Sequence, residues 1–280
     1  MIIKRLKEMG FSINLISVGL AIKRFFDWRR KRIIHGMGFR PDQKDERDIV
    51  YKIRRITREL PASTNRENIA MFPYRYDQGQ IGSCVGHGVC AAFRRVLQIN
   101  QMPDFEPSRL FAYFIARKEK KEDTGASIRD AFKAMNRAGL CSEKTWPYIE
   151  RKFAAAPSKE AWKEAMDHQT IRYEKIWPVT KDAIRDAVSS GYPVVYGKMI
   201  YESFMSKEVM KTGEVPLPDK KTEQLYGGHC MIIFDYDEVG TIELNSWGKT
   251  WGQKGLCRVP WDYVLNPELC QDFWVLYLTE

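Results

Sequence analysis

The chemistry in this 280-residue chain centres on the stretch Asp77-Gln78-Gly79-Gln80-Ile81-Gly82-Ser83-Cys84. A glycine-rich turn delivers a single cysteine to the head of an apolar run: Val85, Val89, Ala91, Ala92, Phe93, Val96 and Leu97. The spacing of that run predicts a helix that packs into a core. A cysteine in the first turn of a helix meets unpaired N–H groups and the positive end of the macrodipole, and both favour thiolate over thiol. Cys84 is therefore the candidate nucleophile, and a thiol nucleophile needs a base. Of the four histidines, His35 lies in a basic extension and His168 in a polar junction. His87 is one turn along the same helix face as Cys84, where it does not point across a cleft at the thiol. His229 follows the hinge Gly227-Gly228 and opens the apolar run Cys230 to Ile233, although a satisfied core histidine would look the same. Asn245 separates these readings. It heads Asn245-Ser246-Trp247-Gly248-Lys249-Thr250-Trp251-Gly252, about one strand and one turn after His229. Its amide oxygen can accept the imidazole N–H and fix the tautomer, while the two tryptophans shield that bond from water.

These groups need a scaffold. Residues 36–76, broken by Gly36, Gly38, Pro41, Pro61 and Pro73, are expected to form an extended strap leading to the catalytic turn. After the helix at 84–98, Pro107-Ser108 opens a second helical pattern, RLFAYFIARKEKKE. Ser127-Ile128-Arg129-Asp130 resembles a capping box and opens a third, ending near Gly139. A further helix is expected at 158–167, and a short one at 181–189 behind Thr180. Residues 170–177 alternate. Strand-like runs cover Val194 to Met199, Cys230 to Asp235, Thr241 to Leu244, Leu256 to Val259 and Phe273 to Leu278. Helices first and strands second indicate an α+β protein of two lobes.

The net charge of +9 is uneven: residues 1–40 carry ten basic and two acidic side chains, so the remainder is nearly neutral. Residues 1–36 read as a basic amphipathic extension. Its apolar stretch, Gly10 to Ile22, is too short for a good membrane span. An anchor on an anionic membrane surface, a packing extension on the body or on a partner protein, and a non-specific phosphate-binding arm all fit this composition. No sequence-specific nucleic-acid contact is expected. The six cysteines are irregularly spaced and form no CxxC pair, so neither a zinc site nor another metal is expected. Most are read as free thiols in a reducing compartment.

"QGQIGSC", "GGHCMII" and "NSWGKTWGQKG" resemble, in order, the three motif blocks of the papain family of cysteine proteases. Further stretches, among them "EPSRLFAYFIAR" and "GYPVVYGKMIYESF", resemble bacterial and phage-type members, so the likeness covers about residues 37–280. His229 lies 145 residues after Cys84, within the spacing expected of this family. The resemblance implies a papain-like α+β fold: a helical lobe at about 77–155, a β-barrel-like lobe at about 156–280, and a cleft between them. It implies a cysteine endopeptidase working through a thioester without a cofactor, on a peptide or protein substrate. Cys84 would be the nucleophile, His229 the acid/base and Asn245 its orienter. The side-chain amide of Gln78 and the Cys84 N–H would receive the oxyanion. Gly125, Ala126, Ser127, Gly228 and Trp247 would meet substrate, with Trp247 also covering the His–Asn bond. Ile81 stands where secreted members carry a disulfide cysteine, which implies a cytoplasmic or virion-associated protein, peripheral to a membrane if the extension anchors it, and not a classically secreted one. Val85, Gly228 and Cys230 also depart from the family pattern around the cleft. No inhibitory propeptide of the usual length is evident. A catalytically idle structural or adaptor protein of the same fold, acting through its basic N-terminus, is the alternative. Transamidation of a non-protein substrate would use the same thioester.

Overall fold

A single turn, α1 (Glu67–Ala70), precedes the helix expected behind Cys84, α2 (Cys84–Ile99). The computed structural model describes residues 36–53, 59–169 and 171–278. Apart from Gly36, the basic extension lies outside them. Every residue of α2 from Cys84 to Leu97 is buried. Even its charged members are enclosed: Arg94 donates to Asp104 at 2.8 Å and Arg95 to Asn68 at 3.2 Å. A helix buried on all faces belongs in the middle of a fold. Gly88 allows the approach to the sheet, since a Cβ there would stand 2.8 Å from the Cys230 sulfur.

α3 (Arg109–Ala116) and α4 (Ile128–Ala138) pack around α2. Their starts are set by Ser108, whose hydroxyl accepts from the Phe111 N–H at 3.0 Å, and by Ser127, which accepts from the Asp130 N–H at 3.2 Å. α3 is shorter than its sequence pattern suggests. Arg117 turns to extended backbone, and the Lys120 ammonium folds back onto the carbonyls of Phe114 (2.8 Å) and Ile115 (3.0 Å), satisfying helix-end acceptors that a further turn would have used. α5 (Lys159–Ala165) completes the helical part.

The rest is a six-stranded antiparallel sheet with the order β1-β6-β2-β3-β4-β5. Its strands are β1 (Ile171–Lys175), β2 (Val194–Tyr201), β3 (Leu225–Tyr236), β4 (Gly240–Leu244), β5 (Leu256–Pro260) and β6 (Cys270–Leu278). α6 (Lys181–Ser189), capped by Thr180, lies between β1 and β2 in sequence, α7 (Lys207–Thr212) follows β2, and α8 (Trp261–Val264) follows β5. Side chains alternate across β3 as a strand requires. Cys230, Ile232 and Phe234 enter the core shared with the helices, while Met231 and Ile233 enter a second core on the opposite face with Phe204, Trp247 and Trp251.

Of the strap expected at 36–76, residues 36–53 are largely extended and threaded through the fold, whereas Glu67–Ala70 form α1. Val50 bridges Lys175 on β1, with Tyr51 N–H donating to the Lys175 carbonyl at 2.8 Å and Lys175 N–H to that of Ile49 at 2.8 Å. This covers backbone that an edge strand would otherwise expose.

Candidate active site

α2 begins at Cys84, so the sulfur lies where the helix N–H groups are unpaired. The turn before it is held rigidly. Gly79 (φ 61°) takes the left-handed conformation that favours glycine, and its N–H donates to Asp77 at 2.9 Å. Gln80 N–H donates to Glu150 at 2.8 Å, and Gly82 N–H to the Asp123 carboxylate at 3.0 Å. The Tyr148 hydroxyl bridges the Gln78 carbonyl (2.7 Å) and the Ser83 hydroxyl (2.6 Å). Sequence reasoning missed Asp123, Tyr148 and Glu150 because they come from three separate positions with no shared spacing.

β3 presents His229, and the loop after β4 presents Asn245. The His229 Nε2 and Asn245 Oδ1 are 2.8 Å apart, and Asn245 Oδ1 also accepts from the Ser246 N–H at 2.7 Å. An Oδ1 that receives a backbone N–H is the amide's acceptor end, so Nε2 is the donor in the 2.8 Å contact, which places its proton on the Asn245 side of the ring. Trp247 lies against the imidazole with ring centres 4.8 Å apart, and Trp251 meets Trp247 edge-on at 5.4 Å. Gln78, on the other side of Cys84, is tied to the same loop. Its N–H donates to the Ser246 carbonyl at 2.8 Å, and its Oε1 accepts from the Ser246 hydroxyl at 2.6 Å. This leaves the Gln78 amide N–H groups as the end that faces outward from the loop.

Those N–H groups are occupied, one by the strap and one by the catalytic turn itself. Gln78 Nε2 donates to the Gly36 carbonyl at 2.8 Å and to that of Ile81 at 2.9 Å. Beyond Gly36, Phe39 N–H donates to the Gly228 carbonyl at 3.0 Å, Ala126 N–H donates to the Gly38 carbonyl at 2.8 Å, and Arg40 N–H donates to the Ala126 carbonyl at 2.9 Å. The strap thus forms a parallel bridge at Phe39 with Ala126. A Cβ on Gly38 would strike the Gly82 carbonyl, and one on Gly125 (φ 70°) the Gly38 carbonyl, so backbone meets backbone without side chains between. The Phe39 ring fills the space above Gly197 on β2. Of the residues expected to meet substrate, Ala126 and Gly228 are therefore paired with residues 36–40, and Gly125 lies against Gly38. Ser127 uses its hydroxyl to cap α4, and Trp247 covers the imidazole.

With the strap in place Cys84, Gln78 and His229 are fully buried. This corrects the expectation of a ready thiolate. Burial pushes the Cys84 thiol up to about 11, despite N–H groups of Cys230, Gly38 and Val85 that favour its charged form. His87 is no rival base. Burial first, and then Arg109, push its imidazole down to about 3, and its ring packs edge-on against Tyr148 at 4.7 Å. His168 packs against Phe105, and His35 lies outside the described residues. All six cysteines are free and buried. Among the described residues, no group of three or more His, Cys, Asp or Glu side chains is placed to hold a metal ion.

Comparison with known proteins agrees with this architecture. An uncharacterized peptidase C1-like protein of Acanthamoeba polyphaga mimivirus is 39% identical over 215 residues, covering 71% of this chain and 68% of its own. The crystal structure of xylellain, a cysteine protease from Xylella fastidiosa, superposes with a TM-score of 0.81 at 30% identity, over 89% of this chain and 98% of xylellain. A Carica candamarcensis cysteine protease solved in complex with E-64 shares the fold at 16% identity, with a TM-score of 0.60 over 79% of this chain and all of its own. Residues 61–267 match the sequence profile of the papain family cysteine proteases, and the chain belongs to that family as a cysteine peptidase.

Proposed function

We propose that Cys84, His229 and Asn245 form the catalytic triad of an endopeptidase, with Gln78 as oxyanion donor, and that residues 36–40 close its cleft. The observation that carries this reading is the 2.8 Å His229–Asn245 bond beneath Trp247, which fixes the imidazole tautomer and leaves Nδ1 as the nitrogen that does not face Asn245. Displacing the strap releases the Gln78 amide N–H that Gly36 holds and admits water to Cys84. The burial that held the thiol neutral is then relieved, and proton transfer to His229 gives a thiolate–imidazolium pair. The thiolate attacks a peptide carbonyl, whose oxyanion receives N–H groups from Gln78 and Cys84. Collapse of the intermediate expels the amine, which takes the proton from His229. Water, deprotonated by His229, then hydrolyses the thioester.

The strap's own polarity supports its role as a plug. It runs parallel to the segment at Ala126. A substrate whose acyl half pairs with Ala126 approaches Cys84 as its residue numbers rise, whereas the strap moves away from Gln78 as its numbers rise. Labelling with E-64 or iodoacetamide tests the triad, best with Phe39→Ala to loosen the strap. Cys84 should label rapidly in Phe39→Ala, and at least ~100-fold more slowly when His229→Ala is added, because thiolate formation is lost. Equal slow labelling of both would overturn the triad and favour the idle alternative.

A further inference from the structure

Behind the triad lies a charged pair that the mechanism does not use. Lys198 on β2 and Glu243 on β4 are both fully buried, with Nζ and Oε2 2.7 Å apart. Glu243 Oε1 accepts from the Tyr196 hydroxyl at 2.5 Å and from the Thr241 hydroxyl at 2.7 Å. The ammonium is surrounded by the rings of Tyr263, Tyr196 and Phe204, at 5.2, 5.3 and 5.6 Å. Removing two charges from water costs several kcal/mol per ion, and an apolar pair of similar volume often serves stability as well or better. Stability alone is therefore a weak reason for this arrangement.

Its position suggests another. β3 lies between β2 and β4, so the pair reaches across roughly 10 Å, two strand spacings, over the strand that carries His229. Lys198 stands directly opposite His229 in the β2–β3 register, on the same face of the sheet. Glu243 is two residues before Asn245 on β4 and its following loop. One end of the pair is thus beside the acid/base and the other at the root of its orienter. Phe204 makes a second connection. Its ring centre lies 5.6 Å from the Lys198 ammonium, and the ring meets Trp247 edge-on at 5.6 Å and stacks on Trp251 at 5.5 Å.

We propose that the Lys198–Glu243 pair is a positioning clamp for this triad, fixing β2 and β4 across β3 so that the His229–Asn245 bond is held in register. This rests on the triad reading above. Lys198 and Glu243 act through the strands and touch no reacting atom.

The test uses the full-length chain with Lys198→Met/Glu243→Gln, a double variant that leaves neither charge unpaired, beside Glu243→Gln alone. A fluorogenic peptide amide reports kcat and KM. Far-ultraviolet circular dichroism establishes that each variant is folded, and the downfield NMR resonance of the His229 ring N–H reports the bond to Asn245. The folded double variant should lose at least ~10-fold in kcat with KM within about twofold, as expected for a misplaced acid/base, and its ring N–H resonance should broaden or move upfield. Wild-type kcat and resonance in the folded double variant would overturn the clamp and leave the triad standing. Should the double variant fail to fold, the single variant decides by the same kcat and resonance criteria. If His229→Ala cleaves the peptide as fast as wild type, the triad falls and the clamp with it.

Discussion

Replacing Phe39 by alanine should open the enzyme. The ring is 5% exposed and belongs to the main core, lying over Gly197 where any larger residue would collide with it. Burying a phenylalanine side chain is worth about 1.5–3 kcal/mol. That energy is available only while the strap is docked, so the truncation should weaken docking by about 1.5–3 kcal/mol, or roughly 10–150-fold in its equilibrium constant. The backbone bonds through Gly36, Gly38 and Arg40 remain, so the strap loosens without losing its register. The assay is the second-order rate of Cys84 alkylation by iodoacetamide. While the closed state dominates, the measured rate is the open-state rate multiplied by the open fraction, so it should rise by roughly the same 10–150-fold. A chymotryptic map should show the label on Cys84, with the other five cysteines unmodified. Unchanged alkylation in a folded Phe39→Ala protein would refute the reasoning, since the cleft would then open by a route that does not lift residues 36–40.

The strap should also respond to pH. Asp42 accepts from Trp274 Nε1 at 2.8 Å and from the Arg129 N–H at 3.1 Å, and its own N–H donates to Asp272 at 2.7 Å. Burial, and then the Asp272 charge, push its carboxyl from 3.8 up to about 6, with the Arg129 guanidinium opposing; Lys175 holds Asp272 from β1 at 3.1 Å. A carboxyl raised by docking takes up a proton as the strap closes. Its contribution is thus complete below about pH 4 and lost as pH rises through 6, on the order of 3 kcal/mol in all. Wild-type alkylation should climb between pH 4 and 7 more steeply than that of Asp42→Asn, and parallel profiles would refute this. Gln78→Ala should lower kcat by about 10²–10³-fold through loss of an oxyanion donor. It also deletes the bond to Gly36, so Cys84 alkylation should be no slower than in wild type; a kcat within twofold of wild type would remove Gln78 from the oxyanion site.

Much of the site was legible in the chain itself. A thiol at a helix start, a histidine opening an apolar strand and an asparagine before Trp247 are local patterns, and local backbone preferences suffice to build each one. The helix at Cys84, the serine caps at 108 and 127, and the stop at Gly139 follow from the same short-range rules. The sequence could not assign the strap. Gly36 meets Gln78, 42 residues away, and Phe39 meets Gly228 and Gly197 from two strands far down the chain. The glycines that broke the helical pattern read as loop, yet their lack of side chains is what admits backbone into the cleft. The burial of Cys84 was likewise beyond the reach of local chemistry. The helix start favours thiolate, but burial under residues 36–40 outweighs it. The Lys198–Glu243 pair is also a product of the fold, since only the register of β2, β3 and β4 brings residues 45 apart into one buried contact. Short-range chemistry determined which groups this protein presents. Long-range pairing, which no local spacing encodes, decided that they are covered.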